Sequence, residues 1–355
     1  DLVRSRGLGD VYKRQVQNYF TVATSWGNVE EALELDQLEQ ILAPMARRIV
    51  TDLETDLGSY LIKNSNLHYG TVGTVVDAWS DVAGAAALMD SIGVPTDGDR
   101  FYVMNPFTTA GLASAQNGLN AADGLVRTAW EKAQISSNFA GLSALTSNGL
   151  ADYTSGTATD RAGTLSGAPD VTYVTAKDTM TQVLPVTAFT ASATVKAGEI
   201  IQVTGRNRLN LSSRGAILDG TASNILFAGT VTQDVTLDGS GAGNLTIAGA
   251  GINETNGQYN TTDTALQSGD VVTLLGAGST LYQPNLFYHK QAFGLGTVKL
   301  PKLYSTDTIA TTSDGMSIRV SKYSDGDANT QKIRFDLLPA YATFNPFFAG
   351  QGFGV

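Results

Sequence analysis

Between Leu38 and Leu61, large apolar residues return every three or four positions: Leu38, Ile41, Leu42, Met45, Ile49, Leu53, Leu57 and Leu61. That spacing places all of them on one face only in an α-helix, so a helix of roughly six or seven turns is expected, opening at Asp36. Glu39, Arg47, Arg48, Asp52, Glu54 and Asp56 fill the remaining faces. Pro44 falls in the second turn, where a missing N–H deletes one backbone bond, and a kink or a late start is expected there.

Around this helix the first half reads as mixed. Residues 19–35 are extended chain with a turn at Gly27-Asn28 and have too little apolar content to fold alone. A second helix is predicted over 75–92, with Val76, Trp79, Val82, Ala86 and Met89 in its stripe and Gly93 and Pro95 closing it. A short strand at 101–104 is halted by Asn105-Pro106, and 107–115 and 125–133 read as helical. Residues 36–150 are therefore α+β.

From Gly156 the composition shifts to Gly, Thr, Ser and Ala, with short alternating runs at 171–173, 200–203, 235–237, 245–247 and 271–274. Thr on the outward positions and Gly-rich turns such as 239–243 predict a small antiparallel sandwich or barrel, inserted into the surrounding domain. Mixed character returns after Pro284, and the runs 316–323 and 331–341 flank Asp325-Gly326-Asp327 as a hairpin. No repeat of fixed period is present.

The totals exclude several function classes. A chain of 355 residues can hold two or three domains. With 23 Lys and Arg against 33 Asp and Glu the net charge is −10, which opposes general binding to phosphate backbones and anionic lipids. Without Cys there are no disulfides, thiolate zinc sites or cysteine nucleophiles. No stretch reaches the roughly 18 uncharged apolar residues of a membrane span. Residues 1–15, DLVRSRGLGDVYKRQ, are basic against an acidic remainder and resemble translated adaptor-type read-through; a non-native scar is expected there, with the true N-terminus missing.

Candidate chemistry is sparse. His68 and His289 are the two histidines, in a polar turn and in Leu286-Phe-Tyr-His-Lys, and structural roles are expected for both. Asp325-Gly-Asp327-Ala-Asn329-Thr330 imitates the start of a calcium loop but has Thr330 where the tight turn requires Gly, so a hairpin turn is expected. The glycine-rich segments carry neither a dinucleotide fingerprint nor a Walker lysine, and Gly163-Thr-Leu-Ser166-Gly sets its Ser one place late for a nucleophile elbow. No catalytic, cofactor-binding or metal residue is assigned. Arg206, Arg208 and Arg214 form the one basic cluster of the β-rich segment, while no Lys or Arg occurs from 216 to 289. The separation suits either a solvated loop or charge pairing across a subunit boundary.

The order of segments, an extended arm, a long helix, an α+β body interrupted by a β-rich insertion and a late hairpin, resembles the major capsid proteins of tailed bacteriophages, in the coat-protein branch with an inserted β-barrel. The stretches that carry the resemblance are Ala46-Arg-Arg-Ile-Val-Thr-Asp-Leu-Glu-Thr-Asp-Leu57, Arg100-Phe-Tyr-Val-Met-Asn-Pro106, Lys177-Asp-Thr-Met-Thr-Gln-Val-Leu-Pro185, Val195-Lys-Ala-Gly-Glu-Ile-Ile201, Asn285-Leu-Phe-Tyr-His-Lys-Gln-Ala-Phe293, Ile318-Arg-Val320 and Arg334-Phe-Asp-Leu-Leu338. It covers about residues 17–345.

The resemblance implies the α+β tailed-phage/herpesvirus capsid fold, with spine helix, extended loop, peripheral and axial domains and an inserted antiparallel β-barrel. It implies an extended-loop strand at 16–35 with Trp26, Glu30 and Glu31 as contact candidates, and a peripheral domain at 36–74 with its hairpin at 316–341. The axial domain would take 75–170 and 285–315, the barrel 171–284, and a C-terminal strand and tail 342–355. The implied function is a structural, non-enzymatic subunit that self-assembles into an icosahedral head shell enclosing double-stranded DNA. Its partners would be further copies in pentamers and hexamers, with a scaffolding protein and portal during assembly, no sequence-specific DNA contact, no cofactor and no membrane. Its place would be the virion, and the host cytoplasm during assembly. The family's N-terminal arm and outgoing loop strand have no counterpart here, which bears on whether this chain assembles. Two other readings compete: a β-rich surface adhesin or layer protein, which predicts a secretion signal and barrel repeats, and a carboxylate-based lyase or glycosidase, which needs acids in an aromatic cleft.

Overall fold

The computed structural model describes residues 19–27, 38–117, 132–133, 135–169, 171–312, 315–327 and 330–355. The chain divides into two compact units, Asp1–Leu57 with Gly294–Ala342, and Gly58–Phe293 with Thr343–Val355. The long helix, α1, spans Leu38–Asn64 with Pro44 inside it, so the boundary between the units falls within one helix. Met45, Ile49, Leu53 and Leu61 of the predicted stripe are buried.

The first unit holds a four-stranded antiparallel sheet, with Phe20–Gly27 pairing with Thr330–Leu337, which pairs with Ser317–Asp325, which pairs with Thr308–Thr311. The hairpin expected around Asp325 is present, with Asp325 facing Thr330 in register. Residues 19–27, too poor in apolar side chains to fold alone, gain structure by joining that hairpin over eight residues.

The second unit combines a six-stranded mixed sheet with a closed barrel. The sheet runs Leu67–Tyr69, Ala349–Gly352, Asn285–His289, Arg100–Met104, Leu142–Thr146, Asn138–Phe139, with parallel pairs at 67–69/349–352 and 100–104/142–146. Helices α2 (Trp79–Ile92) and α3 (Pro106–Asn117) belong with it, and Val82, Met89, Ile92, Tyr102, Leu112 and Phe287 form its core. α2 starts four residues later than the apolar spacing predicts. The carboxylate of Asp81 accepts the backbone N–H groups of Asp77 and Ala78 at 3.2 and 3.3 Å and so fixes the start there. At its other end Gly93, with φ of 95°, returns its N–H to Met89 and Asp90.

The barrel closes in the order Ile200–Asn207, Leu226–Val231, Gly243–Ala248, Thr181–Thr187, Ala162–Leu165, Val271–Leu274, all pairs antiparallel. Leu165, Leu184, Val186, Ile201, Val203, Phe227, Leu245, Ile247, Val272 and Leu274 fill it, as period-two alternation requires. Its first strand lies upstream of the expected boundary at 171. Residues 171–173, expected as strand, instead lead into a helical turn at Tyr173–Ala176, because Thr172 caps it through Thr175. The stem of the insertion is the pairing of Tyr153–Thr154 with Leu281–Tyr282, stitched by Ser155 N–H to the Thr280 carbonyl at 2.9 Å.

Candidate assembly site

Within each of the two units, buried charged and polar side chains tie strands and loops together. Three such groups are built from charged and polar side chains.

The first binds the strand Phe20–Gly27 to the hairpin. Asp336, fully buried, accepts hydrogen bonds from the Thr21 hydroxyl, from Arg319 Nε at 3.0 Å and Nη2 at 2.6 Å, and is paired with Arg334 Nε at 3.0 Å. Arg319 also donates to the Tyr19 hydroxyl at 2.9 Å and the Pro301 carbonyl at 2.7 Å. Burial pushes the Asp336 carboxyl up, but the hydrogen bonds from Thr21 and Arg319 and the charge of Arg334 outweigh it and hold the group below the usual carboxylate range. Trp26 sits near the end of the same strand, half-buried and opposite Gln331. Glu30 and Glu31 lie outside the described residues.

The second joins the barrel to the mixed sheet. Asn66, completely buried just before the strand Leu67–Tyr69, donates from Nδ2 to the Ala228 and Ala248 carbonyls of two barrel strands, each at 2.9 Å. Its Oδ1 accepts from Arg208 Nη1, and Arg208 Nη2 donates to the Ala228 carbonyl at 2.7 Å. Arg208 is buried with its guanidinium 5.9 Å from the Phe227 ring centroid, and desolvation pushes its pKa down to about 10. Gln351, also buried, donates to the Gly198 carbonyl at 3.0 Å. A further stitch runs from Asn210 Nδ2 to the Ser91 carbonyl at 2.7 Å and from Leu211 N–H to the Ile92 carbonyl at 2.9 Å, so a barrel loop satisfies the C-terminal end of α2.

The remaining arginines of the basic cluster also have partners in their own chain. Arg206 makes two hydrogen bonds to Asp270, at 2.7 and 2.6 Å, and Arg214 donates to the Asn260 carbonyl at 2.8 Å with its guanidinium over the Tyr259 ring. The Asp-rich stretch beyond residue 216 thus supplies the partner of Arg206 across 64 positions.

The third group is around His289, while His68 lies beside Arg208 of the second. His289 is buried; its Nδ1 accepts from Gln291 N–H at 3.2 Å, so Nε2 carries the proton and donates to Asp97 at 2.9 Å. This hydrogen bond holds the Asp97 carboxyl below its ordinary value. His68 lies on the strand Leu67–Tyr69, where desolvation and the nearby Arg208 charge lower its pKa to about 4. Its folded value lies below the unfolded 6.5. The stabilisation is therefore complete above pH 6.5 and is lost as pH falls from there through about 4, because only the unfolded chain takes up the proton. The full shift corresponds to about 3 kcal/mol, and the ring's remaining solvent exposure makes the effect smaller. We expect the melting temperature of the second unit to drop over that window, with His68→Gln flattening the drop; a wild-type melt unchanged between pH 7 and 4.5 would contradict the placement of His68. Among the described residues no group of three or more His, Asp or Glu side chains is placed to hold a metal ion.

The sequence matches the family described as P22 coat protein, gene protein 5, over residues 10–354. The chain belongs to the P22 coat protein family. The match begins inside the stretch 1–15 that the sequence alone set aside as foreign. The chain is also 45% identical over 343 residues to the major capsid protein of Acyrthosiphon pisum secondary endosymbiont phage 1, covering 96% of this chain and 80% of that one. Solved structures with similarity include Mycobacterium phage Che8, at a TM-score of 0.45 and 11% identity over 94% of this chain and 70% of that chain. The capsid of cyanophage P-SCSP1u gives a TM-score of 0.44 at 12% identity over 96% and 73%. The sequence resemblance to tailed-phage coat proteins with an inserted barrel is thus that of the chain's own family, and the closed barrel is present in the structure.

Proposed function

We propose that this chain is a major capsid protein whose copies close into the icosahedral head shell of a tailed bacteriophage around double-stranded DNA. The observation that carries the proposal is the 45% identity to a major capsid protein over nearly the whole chain, barrel included. In this reading α1 is the spine helix, and the sheet of the first unit is the peripheral platform with the extended-loop strand as its edge. The mixed sheet is the axial domain around capsomer centres. The barrel is an insertion on the stem at 153–154 and 281–282, earlier than residue 171. The buried Asn66, Arg208 and Gln351 hold that insertion at a fixed angle, which a lattice subunit requires.

The same reading makes the protein non-catalytic, places it in the virion and, during assembly, in the host cytoplasm, and gives it scaffolding and portal partners. Its net charge of −10 fits a lining that encloses DNA without binding it tightly. Trp26 with Glu30 and Glu31 are assigned to the contact with a neighbouring subunit, and Arg206 and Arg214, partly exposed on the barrel, to its outer face. Arg208 is assigned to the seam within the chain. Sedimentation of the protein at rising concentration tests the reading: a boundary far heavier than a monomer supports it, and a single monomer boundary at all salt concentrations, with or without a scaffolding protein, counts against it.

A further inference from the structure

The spacing that predicts the second helix puts Trp79 in its buried stripe, yet Trp79 is 58% exposed while Val82 and Met89 of the same stripe are fully buried. It is not an isolated case. Phe107, at the start of α3, is 89% exposed, Val75 is 70% and Leu281 is 62%. Four large apolar side chains from three segments therefore face solvent in the second unit, among the exposed apolar residues found there.

They lie on one part of the surface. The Phe107 N–H donates to Asn105 Oδ1 at 2.8 Å, and Asn105 Nδ2 donates to Gln283 Oε1 at 2.6 Å, which brings the start of α3 beside the segment that carries Leu281. One turn after Phe107, a Cβ at Gly111 would meet the Cβ of Asp77 at 4.0 Å, which sets α3 against the residues leading into α2, between Val75 and Trp79. The loop before Val75 closes the circuit, since a Cβ at Gly73 would meet the ring of Tyr282 at 2.9 Å.

We infer that Val75, Trp79, Phe107 and Leu281 form an apolar contact to a second copy of this chain within a capsomer, an assignment that rests on the capsid reading. Two arguments select a second copy over another occupant. Membership of a coat-protein family makes the chain's own copies its nearest and most abundant neighbours. The area then fits: the patch exposes on the order of 400 Å² of apolar surface, about half of what each partner of a stable pairwise complex buries. Such a contact is weak in an isolated pair and becomes stable when a head-to-tail ring closes and every copy makes it twice. Copies of net charge −10 repel one another, and Asp77 stands within this patch, so added salt, which screens that repulsion, strengthens the apolar contact instead of weakening it.

The test uses the full chain with the photo-crosslinker p-benzoylphenylalanine replacing Phe107, a control carrying it in place of Trp26, and the double variant Trp79→Ser/Phe107→Ser. We expect irradiation of the Phe107 derivative to join two copies, with yield rising with salt. We expect the double variant to lose at least tenfold in assembled material while its thermal melt stays at the wild-type value. Wild-type assembly with an equally competent double variant, or crosslinks at position 107 that close only within one chain, overturns the inference and leaves the capsid reading standing. Failure of the wild type to assemble, with no crosslink between copies at either position, overturns both.

Discussion

Asp336→Ala is expected to release the strand Phe20–Gly27 from its sheet. Asp336 is the shared acceptor of Thr21, Arg319 and Arg334, and its loss leaves the Arg319 guanidinium, only 5% exposed, without its ion-pair partner, with the charge of Asp307 nearby but no carboxylate bonded to it. Breaking a buried pair by removing one partner costs about 3–5 kcal/mol, most of it the penalty of the stranded charge. At about 1.4 kcal/mol per factor of ten, protection of the strand's amides against hydrogen exchange should fall on the order of a hundredfold or more. Replacing both partners together, Arg319→Met with Asp336→Leu, removes the stranded charge and is expected to lose less than Asp336→Ala alone. If the double variant is the worse of the two, the network is not acting as a buried ion cluster. Because the folded Asp336 pKa is depressed, its stabilisation is present above the unfolded carboxylate value and disappears as pH falls through the folded one.

Asn66→Ala has its effect in the other unit. It removes the donor to the Ala248 carbonyl and the acceptor of Arg208 Nη1, while the Ala228 carbonyl keeps the other arm of Arg208. One orphaned carbonyl and one orphaned arm of a buried cation together cost about 2–4 kcal/mol. The barrel backbone passes so close that a Cβ at Gly249 would overlap the Asn66 amide, so the site has little freedom to collapse around a smaller side chain. Calorimetry should show the transition of the second unit at a lower temperature. An unchanged transition would mean that the barrel is held by its apolar contacts and the covalent stem alone.

Both predictions rest on contacts that are invisible along the sequence. Asn66 and Arg208 are 142 positions apart, and Thr21 and Asp336 are 315 apart. Nothing in the local text of either residue points to the other. What local physics does specify was legible: α1 runs through the predicted apolar stripe from Leu38 to Asn64, its predicted opening at Asp36 lying outside the described residues, and the hairpin turns where Asp325-Gly326-Asp327 suggests. The alternation of the runs at 200–203, 245–247 and 271–274 places each in a barrel strand.

The misreadings have physical causes too. Ala162–Leu165 was hidden as a strand because Gly and Thr dominate it, yet Gly163 is required there: a Cβ would meet the Phe189 ring at 2.5 Å. The basic cluster suits either a solvated loop or charge pairing across a subunit boundary by its sequence, and the partner Asp270, 64 positions away, is visible only in the closed barrel, 2.6 Å from Arg206. Trp79 fits the period of α2 but stands at its first turn, where the stripe has already left the core. Periodicity identifies the face of a helix and not how far along it the cover extends.

The measurement that bears most directly on the account is negative-stain electron microscopy of the purified protein, alone and with a scaffolding protein. Closed shells or capsomer-sized rings from at least one of the two are predicted. Clean monomers from both, across low and high salt, would contradict the assignment of this chain to a self-assembling head shell.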